Sequence, residues 1–161
     1  MRAARWGVPA VLWLAALGFG VAGLLGRPGP AADRAVVDAS ATSQVNSQVD
    51  TALARILSYT PQDTAATAQA AHDLLSGTAS TQYQTLFAQV KGQIGTQRLT
   101  VATQVTHSGV VSLTRDQAQL LVFVRQTAQR QGSAASTVDG QLSVTARLID
   151  GHWRISDMTE R

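Results

Sequence analysis

The sequence predicts an α+β domain of about three helices packed on a curved antiparallel sheet of about four strands, set behind a membrane-spanning helix. Three features carry this. A run of twenty residues near the N-terminus has no charge, apolar residues then recur at helical spacing to about residue 94, and from residue 99 onward they alternate with polar ones.

The uncharged run covers residues 6–25. At about 1.5 Å per residue such a helix spans roughly 30 Å, the thickness of a bilayer core. A cleaved signal peptide has an apolar stretch of only about 7–15 residues, so an uncleaved anchor over 6–26 is expected. Pro9 falls near its start, where a helix tolerates proline. Arg2 and Arg5 precede it and Arg27 follows. That bias places residues 1–5 in the cytoplasm and the rest of the chain outside, as a single-pass protein of the cell membrane. Gly18, Ala22 and Gly26 make a small-residue ridge suited to close helix packing, a spacing that an Ala/Gly-rich segment also produces by chance.

Residues 27–34, with Arg27-Pro28-Gly29-Pro30, read as a linker. Residues 35–161 then suffice for one domain core and not two. Of the 161 residues 45% are apolar and 14% charged, too apolar for a disordered chain. The net charge of +3 comes from Arg2, Arg5 and Arg27, because the other ten basic residues balance the ten acidic ones. The excess therefore flanks the apolar run and not the domain, which argues against nucleic acid as a partner. The absence of cysteine excludes disulfides, thiol catalysis and cysteine metal sites.

Val37, Ala41, Val45, Val49, Leu53 and Leu57 recur every fourth residue and predict a helix over 35–58, ended by Tyr59-Thr60-Pro61. Asp63 is the expected N-cap of a second helix reaching Ser76, its side chain accepting from a free amide, with Gly77 as a left-handed terminator. A third helix is expected from Ser80 to Gly95, carrying Tyr83, Leu86, Phe87, Val90 and Ile94 on one side. Leu99, Val101 and Val105 begin a strand, with a bulge expected at Ser108-Gly109 before Val110, Val111 and Leu113. Residues 118–128 read as a central strand covered on both faces, since its middle is apolar through Leu120, Val122 and Val124 on one and Leu121 and Phe123 on the other. Residues 129–136 are a polar loop. Asp150-Gly151 is the sequence of a tight hairpin turn. It pairs Ile149 with His152, Leu148 with Trp153, Arg147 with Arg154 and Ala146 with Ile155. That register gathers Leu142, Val144, Ala146, Leu148, Trp153 and Ile155 on one face, and a slip by one residue would scatter them.

Candidate chemistry is sparse. His72, His107 and His152 are the only histidines, with no metal-ligand spacing between them. His72 adjoins Asp73, but adjacent helical residues do not face each other, so no dyad is expected. His107 has the parity of Val101 and Val105 and so points toward an interior pocket, whereas His152 follows a turn and faces solvent. A proton-abstracting enzyme would need a carboxylate or histidine opposite an oxyanion donor. Asp157, Tyr59, Tyr83 and His107 are the conceivable members, Asp157 foremost by its shared parity with Trp153 and Ile155. They form no recognisable constellation, so no catalytic, cofactor-binding or metal residue is assigned and no enzyme is expected. Arg147 and Arg154 face each other on the hairpin's polar side, either contacting an anion or splaying into water near Asp139 or Asp157.

Several segments carry a family resemblance. A basic N-terminus precedes the membrane helix. Leu57-Ser58-Tyr59-Thr60-Pro61, Leu74-Leu75-Ser76-Gly77, Tyr83-Gln84-Thr85-Leu86-Phe87 and the strand from Asp116 to Val124 follow in order, and the chain closes on Val144 to Met158 with Asp150-Gly151-His152-Trp153 at its centre. This order resembles the Mce-associated membrane proteins of mycobacteria and related actinobacteria. The resemblance implies a cone-shaped fold like nuclear transport factor two, also called SnoaL-like. It implies a non-catalytic accessory or assembly subunit of a fatty-acid or sterol importer in the cell envelope. The partners would be the membrane and Mce transporter subunits, with lipid in the domain pocket as a further candidate. The same layout also resembles VirB-eight-type scaffolds of secretion or conjugation machines, and a third alternative is a SnoaL-like small-molecule-binding domain or enzyme.

Overall fold

A computed structural model describes residues 38–161, so the anchor expected over 6–26 and the linker lie outside the described residues. Among the described residues no helix is long and apolar enough to cross a membrane.

Helix α1 spans Ala39–Ile56. Its start is fixed by Asp38, whose carboxylate accepts from the Ala41 N–H at 2.8 Å, later than the expected start at 35. Val45, Val49, Ala52, Leu53 and Ile56 form its buried stripe, as the spacing of four requires. Helix α2, Thr64–Leu74, starts after Asp63 as expected, but the Asp63 side chain makes no capping bond. The Thr67 hydroxyl instead donates to the carbonyls of Asp63 and Ser58, tying the helix to the end of α1. The helix stops at Leu74, short of Ser76, because Leu75 turns extended and pairs in parallel with Ile155.

Gly77 adopts the left-handed conformation expected of it (φ +52°) but opens helix α3, Gly77–Gln97, rather than ending α2. Gly95 does not end α3. The chain runs on to Arg98, which takes the left-handed position (φ 45°) while the Leu99 N–H bonds the Ile94 carbonyl at 3.0 Å. Burial of Ile94 and Leu99 holds this turn without a glycine.

Four strands follow: β1 Thr100–Leu113, β2 Gln117–Gln129, β3 Ser136–Ile149 and β4 His152–Glu160. They form an antiparallel meander in the order β1-β2-β3-β4. The hairpin has the expected register, with Asp150 (φ 51°) and Gly151 (φ 79°) at its turn. Leu148 shares the face of Trp153 but is 38% exposed beside the turn.

The irregularities fall elsewhere than expected. Ser108 and Gly109 are paired in register with Val122 and Leu121, and the residues without partners are Thr106 and Val111 in β1 and Ser156 in β4. Each extra residue bends its strand and reverses the in–out alternation beyond it. The result keeps Val101, Val110 and Leu113 on the helix side together with Leu120, Val122 and Val124 of β2 and Val144, Ala146, Ile155 and Met158. The second correction concerns β2. It is central, but its other face is open: Leu121 is half-buried and Phe123 is 41% exposed. All three helices lie on one side, so the sheet has one covered and one free face.

Two glycines separate these effects. A methyl group at Gly77 would meet the Ser156 carbonyl oxygen at 3.2 Å, on a backbone that disfavours a side chain, whereas one at Gly95 meets nothing within 4 Å. Gly77→Ala should destabilise by about 1–2 kcal/mol. Gly95→Ala should stabilise by roughly 0.5–1 kcal/mol, since α3 continues through it. Urea denaturation of the two variants checks both signs.

Candidate functional site

The residues singled out from the sequence do not converge. His107 is exposed, because the extra residue at Thr106 turns it to the free face of the sheet, opposite Phe123. Asp157 is displaced in the same way by Ser156. Met158 takes the buried position, and Asp157 lies opposite Thr145 on the free face. His152 is exposed beyond the turn, as expected. His72 does reach Asp73, Nδ1 to Oδ1 at 3.2 Å, although no contact was expected of neighbours on a helix. Both side chains are mostly solvated, so the pair is a surface contact. It holds the Asp73 carboxyl below its ordinary value, with Gln69 assisting.

Of the two tyrosines Tyr83 is buried and Tyr59 half-buried. Tyr83 donates its hydroxyl to the Ile56 carbonyl at 2.7 Å and stacks on Phe87 with ring centres 5.4 Å apart. Tyr59 meets the edge of the same ring at 6.2 Å. Burial pushes both phenols up, Tyr83 the further, so they serve as packing and hydrogen-bonding groups at ordinary pH. Tyr59 also holds the edge of β1, exchanging two backbone bonds of 2.9 Å with Val101. Among the described residues no group of three or more His, Cys, Asp or Glu side chains is placed to hold a metal.

One polar cluster escaped the sequence reading. Asp50 of α1 lies against β1, where the Ser108 hydroxyl donates to its Oδ2 at 2.7 Å. Its other oxygen, Oδ1, is buried without a partner, as is Oδ1 of Asn46 one turn earlier. Loss of water raises the Asp50 carboxyl above its ordinary value, and the Ser108 bond offsets only part of that. The sequence signal was the pair Asn46 and Asp50, four apart and adjoining the buried Val45 and Val49.

The free face of the sheet carries a continuous set of side chains whose rows are fixed by the strand register. Phe123 stands in a row with His107 and Gln141, and Leu121 in the next row between Gly109 and Ser143. On one side, Arg125 forms a two-pronged pair with Asp139 at 2.7 and 2.9 Å, and the Thr127 and Thr137 hydroxyls bond beyond it. On the other side lies a row of Gln117, Arg147 and Arg154. Phe123 and Leu121 thus lie in a field of threonine, serine and glutamine, rimmed by charge.

No protein-family model matches the chain, and no curated protein matches it. Solved structures do. A periplasmic fragment of TraM superposes with a TM-score of 0.62 at 12% identity, over 74% of this chain and 96% of that one. CagV, a VirB8 homolog of the T4SS from Helicobacter pylori, gives 0.61 at 9% identity, over 73% and 96%. The Kfla4162 protein from Kribbella flavida gives 0.56 at 14% identity, over 76% and 91%. At such identities the likeness is one of fold alone.

Asp50 gives this region a pH signature. A carboxyl whose folded value lies above its unfolded one contributes stability that is full at acid pH and lost as pH rises through the folded value. Asp50→Asn keeps an acceptor for Ser108 and supplies an N–H toward Asn46. It should therefore be more stable than the parent at neutral pH, by about 1 kcal/mol or less because the group is half-solvated. The difference should vanish at about pH 3. Thermal melts of both proteins across that range measure it.

Proposed function

We propose that this chain is a non-catalytic assembly subunit, anchored in the cell membrane by residues 6–26, whose extracytoplasmic domain docks on partner proteins through the free face of its sheet. The complex served is an Mce-type importer of fatty acids or sterols. The single observation that carries docking is Phe123, exposed beside the half-buried Leu121 at the middle of a mostly polar sheet face whose opposite side is closed by helices. A large exposed aromatic side chain in a mostly polar surround is the usual anchor of a protein contact. His107 and Asp157 stand on opposite edge strands in different rows of the free face, and His72 and His152 lie elsewhere; that dispersal supports a non-catalytic reading. The ordered motifs from Leu57 to Met158 support the Mce assignment, and the placement of Arg2, Arg5 and Arg27 supports the orientation.

A second reading has its own observation. The likeness to the TraM fragment and to CagV favours a scaffold of a secretion or conjugation machine, with the same domain outside the membrane and the same docking logic.

The test is a gentle-detergent capture of the tagged full-length chain from its own membranes, followed by mass spectrometry, beside a Phe123→Thr variant that preserves strand preference. Recovery of Mce substrate-binding subunits or permeases with the parent, reduced about tenfold or more with Phe123→Thr, is the expected result. Recovery of T4SS components in their place selects the second reading. Equal recovery with both proteins refutes docking through Phe123.

A further inference from the structure

Arg147 and Arg154 sit directly opposite each other on β3 and β4. Their side chains project to the free face, because Ala146 and Ile155 beside them are fully buried on the other. Like charges in that position repel, and no carboxylate of the domain neutralises them. Asp139 is taken by Arg125, and Asp157 stands opposite Thr145, in another row. Asp73 is held by His72 and Gln69, and Arg154 acts on it only as its weakest electrostatic influence. Among the described residues the only ion pairs are His72–Asp73 and Arg125–Asp139.

A second observation is independent of charge counting. The Nε of Arg154 is buried without an acceptor, and so is the Ser76 hydroxyl. Leu75 and Ile155 pair in parallel and both face the core, so Ser76 and Arg154 emerge on the same side of the β4 edge. The Arg154 Nε and the hydroxyl of Ser76, which runs beside Ser156, are thus two polar atoms left without a partner along this edge. Gln117 completes the row on β2.

We propose that Arg147, Arg154 and Gln117 form a socket for an aspartate or glutamate side chain of the protein docked on this face, a proposal that rests on reading the face as a docking surface. A carboxylate offers two oxygens and about four acceptor directions, enough to bridge both guanidinium groups and relieve their repulsion. A bilayer is the poorer occupant. Recognition of anionic lipid takes clusters of about four to eight basic residues. Here two unpaired arginines share the face with Asp157 and a neutralised Arg125. Along β2 the socket lies six residues from Phe123, about 20 Å at roughly 3.4 Å per residue. The partner is therefore a surface with an apolar recess and, about 20 Å along it, an acidic residue.

The experiment follows the Arg154 Nε–H resonance of the full-length protein in detergent micelles during titration with a tetraglutamate peptide. The expected result is a saturable shift that weakens about tenfold in Arg147→Gln and collapses in roughly 0.5 M salt. Without peptide, Arg147→Gln should melt at a higher temperature than the parent, since it removes the repulsion, whereas a merely structural Arg147 would lower it. Three results overturn the socket: a static resonance at millimolar peptide, an equal response in Arg147→Gln, or a response to phosphatidylglycerol vesicles with none to the peptide. Phe123→Thr should leave the peptide response intact. Failure of the peptide titration with Phe123-dependent capture preserved therefore removes the socket alone. Loss of that dependence with the titration preserved removes the docking role of Phe123 alone.

Discussion

The burial of the α1 stripe, Val45, Val49, Leu53 and Ile56, in one core with Leu120, Val122 and Val124 of β2 is the constraint on which the rest of this domain depends. A strand offers alternate residues to each side, so one helix stripe dictates which side of all four strands turns inward. The three extra residues, Thr106, Val111 and Ser156, make sense as consequences. Without them the long β1 and the bent β4 would carry their apolar residues out of phase with β2. With them, Val101, Val110 and Leu113 all return to α1, as do Ile155 and Met158. The same devices bend the sheet around the helix. The cost is that the residues just past each irregularity, His107 and Asp157, are delivered to the opposite surface.

What the sequence disclosed follows from the range of the physics involved. The hairpin at Asp150-Gly151 was readable because turn chemistry and alternation agree within a few residues. The α1 stripe was readable because six positions repeat one spacing. The site candidates were not readable, since their placement depends on register across strands. His107 and Asp157 were assigned inward by counting in twos, and a single unpaired residue defeats such counting. Glycine was a misleading guide at three places. Gly109 is in register, Gly77 opens α3 where it was expected to end α2, and Gly95 lies inside the last turn of α3, whose left-handed residue is Arg98, held in place by tertiary burial of Leu99. The second face of β2 was read as covered because Leu121 and Phe123 are apolar. Burial on both faces needs a second layer, and the three available helices all go to one side. Asp50 was missed because its interest arises only when Ser108, far along the chain, closes over it.

The free face differs from the covered one in how its polar groups are satisfied. Inside, apart from the Asn46 and Asp50 cluster, two hydroxyls have specific partners: the Tyr83 hydroxyl on the Ile56 carbonyl, and the Thr103 hydroxyl on the Leu57 carbonyl at 2.7 Å. These bonds lock the segment after α1 against β1 and favour one arrangement of the core over others. Outside, Arg125 with Asp139 and Thr127 with Thr137 are closed pairs, whereas Arg147 and Arg154 are not. A face that resolves its charges at one end and leaves them unresolved at the other is asymmetric, and an asymmetric face distinguishes orientations of whatever lies on it.

The edges of the sheet decide how a partner approaches. A domain with bare edge strands invites another chain to add a strand. Here the segment after α1 binds β1 through Tyr59 and Val101, and the segment after α2 donates from the Ser76 N–H to the Ile155 carbonyl of β4 at 2.8 Å. The remaining length of each edge is interrupted, at Thr106 and Val111 on one side and at Ser156 on the other. A continuous added strand would lose its register at every one of these points. The two connecting segments therefore do more than join helices: they close the routes by which backbone alone would recruit a partner. On the docking reading, recognition is left to side chains on the free face, where Phe123 supplies apolar area while Arg147 and Arg154 supply charge.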